Sequence, residues 1–358
     1  MLTIKVNYLK KIGVATICAL LVQPLTTFTC LGAQAPVMSY EDSSGKEVLV
    51  GKYIMRLPEA SEISEEFLNV DGIPIKITPR FLEARAARHA EKIWEEIELR
   101  NNNNKESPAI RENLFGGAIL FKYDHVRIMG QGLDGKEINK VVHSTMAFSW
   151  MNNLMLQFGN DDTLGADGKI KTLLTKVKPI QSNASNQYLC FAQACIEHSG
   201  VDESANLIFK INKFKNLTAS FKSAAYIGEP HLPLSEQKLD SYSPVTEAAW
   251  TSQNDFTHQT FRNNERSLDG LVGEENIHAV TYLSEGSYRT EVHAKWYYPG
   301  TPERIDRPEI SIDLDFSYIT KLKPASPAGF STTAEDGSPT EVQFMEIWDT
   351  ALSSFKSR

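Results

Sequence analysis

Pairs of acidic residues are the first place to look for chemistry in this chain of 358 residues. Asp313 and Asp315 belong to a segment with the two-residue period of a strand, which places both carboxylates on one face, about 7 Å apart. A glycosidase can use two carboxylates at such a separation. The same spacing is typical of the wet side of a sheet, and both interpretations stay open. Glu274 and Glu275 point to opposite faces of an extended segment, so we expect them to be solvated residues beside a turn.

Histidines give one further pair that can meet in space. His278 and His293 are separated by a turn at residues 284–287, which would place them on neighbouring strands of one hairpin. Two histidines without a third ligand are more typical of hydrogen-bonded structural residues than of a metal site. The sequence also lacks the motifs of serine hydrolases, zinc proteases and nucleotide-binding loops. We therefore predict no catalytic residue, no metal site and no cofactor.

The cysteines separate into two groups. Cys18 and Cys30 lie near the N-terminus, whereas Cys190 and Cys195 lie in the body of the chain. In an oxidising compartment the second pair predicts a disulfide bond. A metal site at Cys190 and Cys195 is the alternative, although no second ligand pair follows at zinc-like spacing.

The N-terminus has the pattern of an export signal. Three lysines precede an apolar stretch at residues 12–22, which is too short for a stable membrane span and has the length of a signal-peptide core. We assign residues 1–32 to a signal peptide, and leave the alternative cleavage points after Thr29 and Ala35 open. Cys30 is a poor candidate for a lipid anchor, because Thr29 stands where a small residue is expected.

Composition describes a folded protein and limits its partners. Hydrophobic residues make up 41% of the chain and charged residues 23%, and no second long apolar segment follows the leader, so we expect no stable transmembrane segment after its removal. The net charge of −8 becomes −11 without residues 1–35, which hold three lysines and no acidic residue. This charge argues against nucleic acid as a partner. It would help to steer association with a basic protein, and a role in solubility explains the same charge.

The first half of the chain mixes strands with one clear helix. Residues 48–57 predict a strand, and residues 63–68 predict a short helical or irregular segment. Residues 81–99 predict an amphipathic helix with an apolar stripe, which a run of four asparagines ends. Further strands are expected at 119–129, 146–150 and 154–158, and a second helix at 170–177.

The second half alternates apolar and polar residues in a way that predicts half-buried antiparallel strands. The cleanest two-residue period is at 310–318, and residues 207–211 and 292–298 repeat it. A polar connector at 324–339 precedes a closing helix. Its apolar face is expected at Phe344, Ile347, Trp348, Ala351, Leu352 and Phe355.

Residues 178–187 lose the apolar period and are rich in turn formers, so we place a domain boundary there. The predicted fold class is α+β with two domains, 36–180 and 188–358, each a mainly antiparallel β-sheet with packed helices. A Leu-Asp-Gly turn occurs in both halves, at 133–135 and 268–270. A duplicated unit and chance recurrence of a short turn both explain it.

The most specific stretch is residues 266–275, RSLDGLVGEE, followed by an alternating run that ends in KWYYPG at 295–300. Its glycines predict a tight turn that leads into a strand. Together with residues 50–58, 194–200 and 344–358, this stretch resembles the periplasmic immunity proteins that neutralise phospholipase effectors of bacterial type VI secretion systems.

That resemblance implies a two-domain periplasmic protein, not an enzyme, that grips a lipase effector and blocks its substrate entrance or its opening motion. The motif blocks are expected to be framework. The contact residues stay unknown, because the exposed strand faces and the connectors at 101–112 and 230–244 are equally eligible. The alternative is an exported hydrolase or ligand-binding protein, for which Asp313 and Asp315 are the best candidates.

Overall fold

A computed structural model describes residues 45–101, 108–131, 137–179, 188–191, 194–197, 202–237, 257–321, 330 and 337–358. They belong to one compact unit, Ser44–Arg358. The predicted signal peptide at 1–32, Cys30 and the first Leu-Asp-Gly turn lie outside the described residues. In the described part of the chain, no helix has both the length and the apolar character that a bilayer span requires.

Eighteen strands and three α-helices make up the regular structure of the described residues. The strands are β1 (Lys46–Val50), β2 (Tyr53–Leu57), β3 (Ser61–Val70), β4 (Ile73–Thr78), β5 (Ile110–Asn113), β6 (Ile119–Gln131), β7 (Glu137–Met151), β8 (Leu154–Phe158), β9 (Val177–Pro179), β10 (Tyr188–Phe191), β11 (Ala194–Glu197), β12 (Glu203–Ile211), β13 (Leu217–Ala225), β14 (Thr257–Leu268), β15 (Leu271–Ser284), β16 (Ser287–Tyr298), β17 (Glu309–Thr320) and β18 (Lys356–Ser357). The helices are α1 (Glu83–Asn101), α2 (Asp167–Lys176) and α3 (Glu341–Ser353).

Twelve strands form one antiparallel sheet in the order β14-β15-β16-β17-β13-β12-β3-β4-β8-β7-β6-β5, beside two sheets of three strands. The predicted alternation is visible in β17, where Ile310, Ile312 and Leu314 are buried and Asp313 and Asp315 are partly exposed. One face of this part of the sheet therefore supplies the main core, and the other face is polar.

Helix α1 confirms the helix predicted at 81–99. Its stripe of Ala86, Ala90, Trp94 and Ile97 is buried and forms a second, smaller core with aromatic residues of β6 and β7. These positions recur every three or four residues, so they share one side of the helix.

Helix α3 closes the main core. Its N-terminus has a capping box, in which the Thr340 side chain accepts a hydrogen bond from the Gln343 amide and the Gln343 side chain accepts one from the Thr340 amide. Phe344, Trp348 and Leu352 are buried in the core, as predicted for the closing helix.

Two predictions for the N-terminal segment need correction. The single strand at 48–57 is a hairpin of β1 and β2, which turns at Gly51, a residue with a φ of +67°. The segment at 63–68 is neither helical nor irregular, since it lies inside β3 at the middle of the large sheet. The period was hidden because one inward position, Glu66, is a carboxylate that is 1% exposed, beside buried Leu68.

The large sheet includes strands from both predicted domains. Strand β3 pairs with β12 over the whole length of β12, and β2 pairs with β18 at the C-terminus. The α+β class is confirmed, whereas a duplicated pair of units is not. The boundary between 36–180 and 188–358 stays a prediction.

Candidate functional site

The stretch at 266–275 folds as the expected tight turn between two strands. Asp269 and Gly270 have φ values of +47° and +79°, and Leu268 pairs with Leu271 across the turn. The Asp269 carboxylate accepts hydrogen bonds from the backbone and side chain of Ser357, 2.7 Å from the backbone nitrogen. These bonds lower the pKa of Asp269 and connect the turn to the last residues of the chain.

The glycine after this turn makes room for a tryptophan. A Cβ atom on Gly273 would lie 2.6 Å from the Trp296 ring and 2.6 Å from the carbonyl oxygen of Tyr297. The indole Nε1 of Trp296 crosses to β14 and donates to the carbonyl oxygen of Arg266 at 2.9 Å. A glycine is therefore required for packing at this point of the motif.

Four motif residues, Arg266, Glu275, Trp348 and Asp349, form a charge cluster together with Arg262. Glu275 is 2% exposed and accepts hydrogen bonds from Trp348 Nε1 at 2.6 Å and from Arg266 at 3.0 Å. Arg262 forms a bidentate pair with Asp349, with distances of 2.7 and 2.8 Å. Arg266 also donates to Asp349 at 2.8 Å. The cluster joins β14 and β15 to α3.

The charges of this cluster are matched to each other. The hydrogen bonds from Arg262, partly opposed by burial, lower the pKa of Asp349, and the bond to Asp349 raises that of Arg262. Asn264 donates to the second oxygen of Glu275 at 3.2 Å. With its oxygens engaged by framework residues, Glu275 is placed to hold the fold together rather than to transfer protons.

Glu274 and Glu275 do point to opposite faces, but the expectation that both are solvated is wrong for Glu275. Its neighbour Glu274 lies on the polar face and accepts hydrogen bonds from Ser235, from the amide at 2.6 Å and from the hydroxyl at 2.8 Å. Ser235 belongs to the predicted connector at 230–244. A second contact binds this connector to the sheet, because the imidazole Nδ1 of His231 lies 3.0 Å from Glu309. Part of the predicted connector at 230–244 is therefore fixed to the sheet, and residues 238–244 lie outside the described residues.

His278 and His293 are directly paired on β15 and β16, as the hairpin prediction required. Their ring centroids are 5.4 Å apart, and His258 of β14 lies 5.6 Å from His278. We call these three residues the histidine row. Its last member, His293, has Nδ1 2.7 Å from a carboxylate oxygen of Asp315.

The histidine row holds two imidazoles with opposite pKa shifts. Burial lowers the pKa of His278 to about 4, and repulsion from His293 adds to this. Burial also acts to lower the pKa of His293, but hydrogen bonds to Asp315 and Glu291 outweigh it and raise the pKa to about 9. At neutral pH one charged imidazole therefore stands beside a neutral one.

Asp313 and Asp315 do share one face, but neighbouring strands engage each of them. Asp313 accepts hydrogen bonds from Ser220 at 3.2 Å and from Ser311 at 2.9 Å, and Asp315 pairs with His293. Burial raises the pKa of Asp313. The two carboxylates belong to the polar ladder of the sheet.

Cys190 and Cys195 form the predicted disulfide bond. The two residues pair directly across β10 and β11 and are buried. The Cys190 amide also donates to the carbonyl oxygen of Gly51 at 3.2 Å, so the disulfide lies against the β1–β2 turn. In the described parts of the chain, no group of three or more histidine, cysteine or acidic side chains is arranged to hold a metal ion.

Residues 185–358 match the sequence profile of a family described as the Tle cognate immunity protein 4 C-terminal domain. The C-terminal half of this chain is therefore similar to that family. The resemblance that the motifs suggested is confirmed, and the family is one of immunity proteins rather than enzymes. The whole charge cluster and Trp296 lie within the matched residues, where they connect β14, β15 and β16 to α3. Among curated protein sequences, none matches this chain.

Solved structures of immunity proteins share the fold over nearly all of their length. A structure described as the crystal structure of a Tle4-Tli4 complex is 13% identical, with a TM-score of 0.58, and covers 89% of this chain and 99% of that one. The apo immunity protein TplEi of the type VI secretion system of Pseudomonas aeruginosa is 14% identical, with a TM-score of 0.56, 89% of this chain and 98% of that one being covered. The same protein in complex with a peptide called "L" has 13% identity and a TM-score of 0.54, over 89% and 99% of the two chains.

Proposed function

We propose that this protein is the immunity partner of a type VI secretion phospholipase, which it binds and inhibits by occluding the active site or by blocking its opening. The family match over residues 185–358 carries this proposal. The similar fold solved in a Tle4-Tli4 complex supports a protein partner of the same kind. Inhibition by occlusion needs a complementary surface and no reactive group.

The bonding of the carboxylates supports the same conclusion. Arg266 donates to both Glu275 and Asp349, and Asp313 and Asp315 are bonded to neighbouring strands. A catalytic acid or base must face a substrate, and these carboxylates face structural donors instead. The alternative of an exported hydrolase therefore has no geometric support in the described residues.

The periplasm is the compartment in which we place this function. The leader at 1–32 and the disulfide between Cys190 and Cys195 support it, because a disulfide persists in an oxidising environment. We also propose that the ranges 36–180 and 188–358 act as two binding lobes joined by the shared sheet. The effector is expected to contact both.

Co-expression tests the proposal directly. The lipase encoded beside this chain's gene is sent to the periplasm of a sensitive bacterium, with this protein exported, retained in the cytoplasm by removal of residues 1–35, or absent. We expect only the exported protein to restore growth, and the purified pair to form a complex without lipase activity. Asp313→Asn is expected to protect as well as the unaltered chain. Absence of both binding and protection would refute the function.

A further inference from the structure

Strands β6 and β7 continue beyond the body of the large sheet as a two-stranded arm. On one side, β5 pairs with β6 only as far as Lys122, and on the other, β8 pairs with β7 only over Ala147–Met151. The β6–β7 ladder runs on through Val126 paired with Val142 to Gln131 paired with Glu137. Within the described chain, no third strand joins this part. We define the arm as residues 127–131 and 137–141.

The base of the arm is hydrogen-bonded to the loop after β8. The Tyr123 hydroxyl donates to the Asp161 carboxylate at 2.5 Å, and the Ser144 hydroxyl donates to the Asp161 carbonyl oxygen at 2.6 Å. The Gly165 amide donates to the His143 carbonyl oxygen at 2.8 Å, two residues after the arm ends at Val141. An element anchored in this way loses little conformational entropy when it binds a partner.

The arm presents apolar side chains on both faces. Met129 is 73% exposed, Val141 46% and Ile128 43%. The register pairs Arg127 with Val141, so Met129 and Val141 share one face, while Ile128 shares the other with Lys140. A two-stranded ribbon cannot bury apolar groups on both of its faces by itself, so a partner is needed to cover them.

On the basis of the proposed function, we propose that this arm enters the acyl-chain entrance of the effector. An enzyme that cleaves phospholipids must admit acyl chains, so the entrance to its active site is lined with apolar groups. Met129, Val141 and Ile128 supply matching apolar surface on a rigid support. Occupation of that entrance by the arm excludes substrate without any chemistry on the side of the inhibitor.

Charge distinguishes the arm from the rest of the protein. Its described residues carry Arg127 and Lys140 against Glu137, in a chain whose formal net charge is −8. The two cations suit a cleft with carboxylates at its rim, where opposite charges steer the encounter. The arm thus combines apolar anchors with a cationic base. An apolar cleft with carboxylates at its rim would complement both.

A lipid surface accepts apolar and cationic groups too, and the sequence favours the protein cleft over it. Glu137 lies at the described end of the arm, paired with Gln131. Insertion into a bilayer would take this carboxylate into or near the hydrocarbon layer at a high energetic cost. A protein cleft can pair it with donors instead.

The test measures binding of the full-length mature chain to the lipase encoded beside its gene. In one variant, Asn-Gly replaces residues 127–141 and joins Val126 to Val142, which are already paired and so suit a two-residue hairpin turn. Met129→Asp changes a single anchor, and Val342→Asp on α3, where the side chain is 75% exposed, is its matched control. We expect Val342→Asp to bind normally, Met129→Asp to bind about 10- to 100-fold more weakly, and the armless chain to lose inhibition.

The outcomes distinguish failure of the arm proposal from failure of the proposed function. If the unaltered chain and both arm variants bind equally well, the function stands and the arm proposal is wrong. If the unaltered chain does not bind the lipase, both fall. Vesicles of phosphatidylethanolamine and phosphatidylglycerol provide the last measurement. The proposal is wrong if the protein sediments with the vesicles only when it carries the arm, while the arm variants bind the lipase as well as the unaltered chain does. Unfolding curves verify the fold, and Val141→Asp replaces the armless chain if that chain does not fold.

Discussion

The charge cluster and the arm are opposite solutions to the placement of polar and apolar groups. In the cluster, a carboxylate that is 2% exposed lies among arginines, an indole and a helix, inside the framework. In the arm, a methionine that is 73% exposed lies on a ribbon that no third strand joins among the described residues. The motif that identifies the family is therefore not the surface that we expect to act on the partner.

This difference predicts which measurements respond to each region. Changes in the cluster remove contacts within the folded chain, so they should lower the free energy of unfolding and leave the affinity of the folded protein unchanged. Changes in the arm remove no interior contact, so they should lower affinity and leave stability unchanged. Mixed behaviour in either region would break the comparison.

Glu275→Leu should have the largest effect. It leaves Arg266 and the Trp348 indole without their acceptor, and loss of one partner from a buried charge pair costs about 3–5 kcal/mol. Urea unfolding measures this directly. Glu274→Gln on the polar face is the control and should cost about 1 kcal/mol or less. Equal costs at the two positions would mean that the cluster does not hold the fold together.

Two glycine substitutions give the next contrast. Gly273→Ala places a methyl group 2.6 Å from the Trp296 ring and 2.6 Å from the Tyr297 carbonyl oxygen, and should cost about 1–3 kcal/mol. Gly130→Ala in the arm meets no atom within 4 Å and should leave the melting temperature unchanged. Thermal unfolding of the two variants decides the point, and a destabilised Gly130→Ala would show that the arm is packed against other residues.

The cationic base of the arm should act mainly on the rate of association. Lys140→Glu is expected to slow association with the lipase about tenfold, with a smaller effect on dissociation, because charges near the rim of an interface steer the encounter. Lys210→Glu, another exposed lysine, is the control on the body of the sheet. Stopped-flow mixing at low and high ionic strength should show the difference disappear as salt is added. A difference that persists in high salt would contradict steering.

The histidine row should produce the smallest effect, a stability maximum near pH 6.5. His293 has its pKa raised from 6.5 to about 9, so its contribution is complete below pH 6.5 and is lost as the pH rises through about 9. His278 has its pKa lowered from 6.5 to about 4, so its contribution is present above pH 6.5 and is lost as the pH falls through about 4. Solvent screening at the partly exposed His293 limits each effect to on the order of 1 kcal/mol.

Single substitutions separate the two limbs of this pH profile. His293→Gln should flatten the alkaline limb and His278→Gln the acid limb, as measured by urea unfolding across the pH range. Asp315→Asn should also weaken the alkaline limb, because Asp315 pairs with His293. A profile that none of these changes alters would show that other groups determine it. The row lies on β14, β15 and β16, at the opposite end of the strand order from β6 and β7, so affinity should follow pH only through folding.

Local patterns predicted the parts of the fold that depend on neighbouring residues. The stripe of α1, the alternation of β17, the hairpin that pairs His278 with His293, and the disulfide between Cys190 and Cys195 were all predicted from spacing and are present. Each of these features depends on a short period or a short loop. Sequence neighbours therefore carry enough information to specify it.

The same reasoning did not predict features that depend on long-range pairings. Strand β3 was missed because Glu66 occupies an inward position, and it became a strand by pairing with β12, far away in sequence. The burial of Glu275 was missed because its partner Trp348 lies on the closing helix. The arm was missed because its two strands look like any others, and only their lack of a third strand among the described residues distinguishes them.

The amino-acid sequence by itself determined the strand and helix periods, the disulfide and the resemblance to an immunity family, because these depend on composition and on short spacings. Tertiary structure alone decided which acidic residue of the Gly-Glu-Glu motif is buried and which apolar residues stay exposed. The physical reason is that burial depends on which distant elements cover a side chain. Helix α3 covers Glu275, whereas among the described residues no element covers Met129.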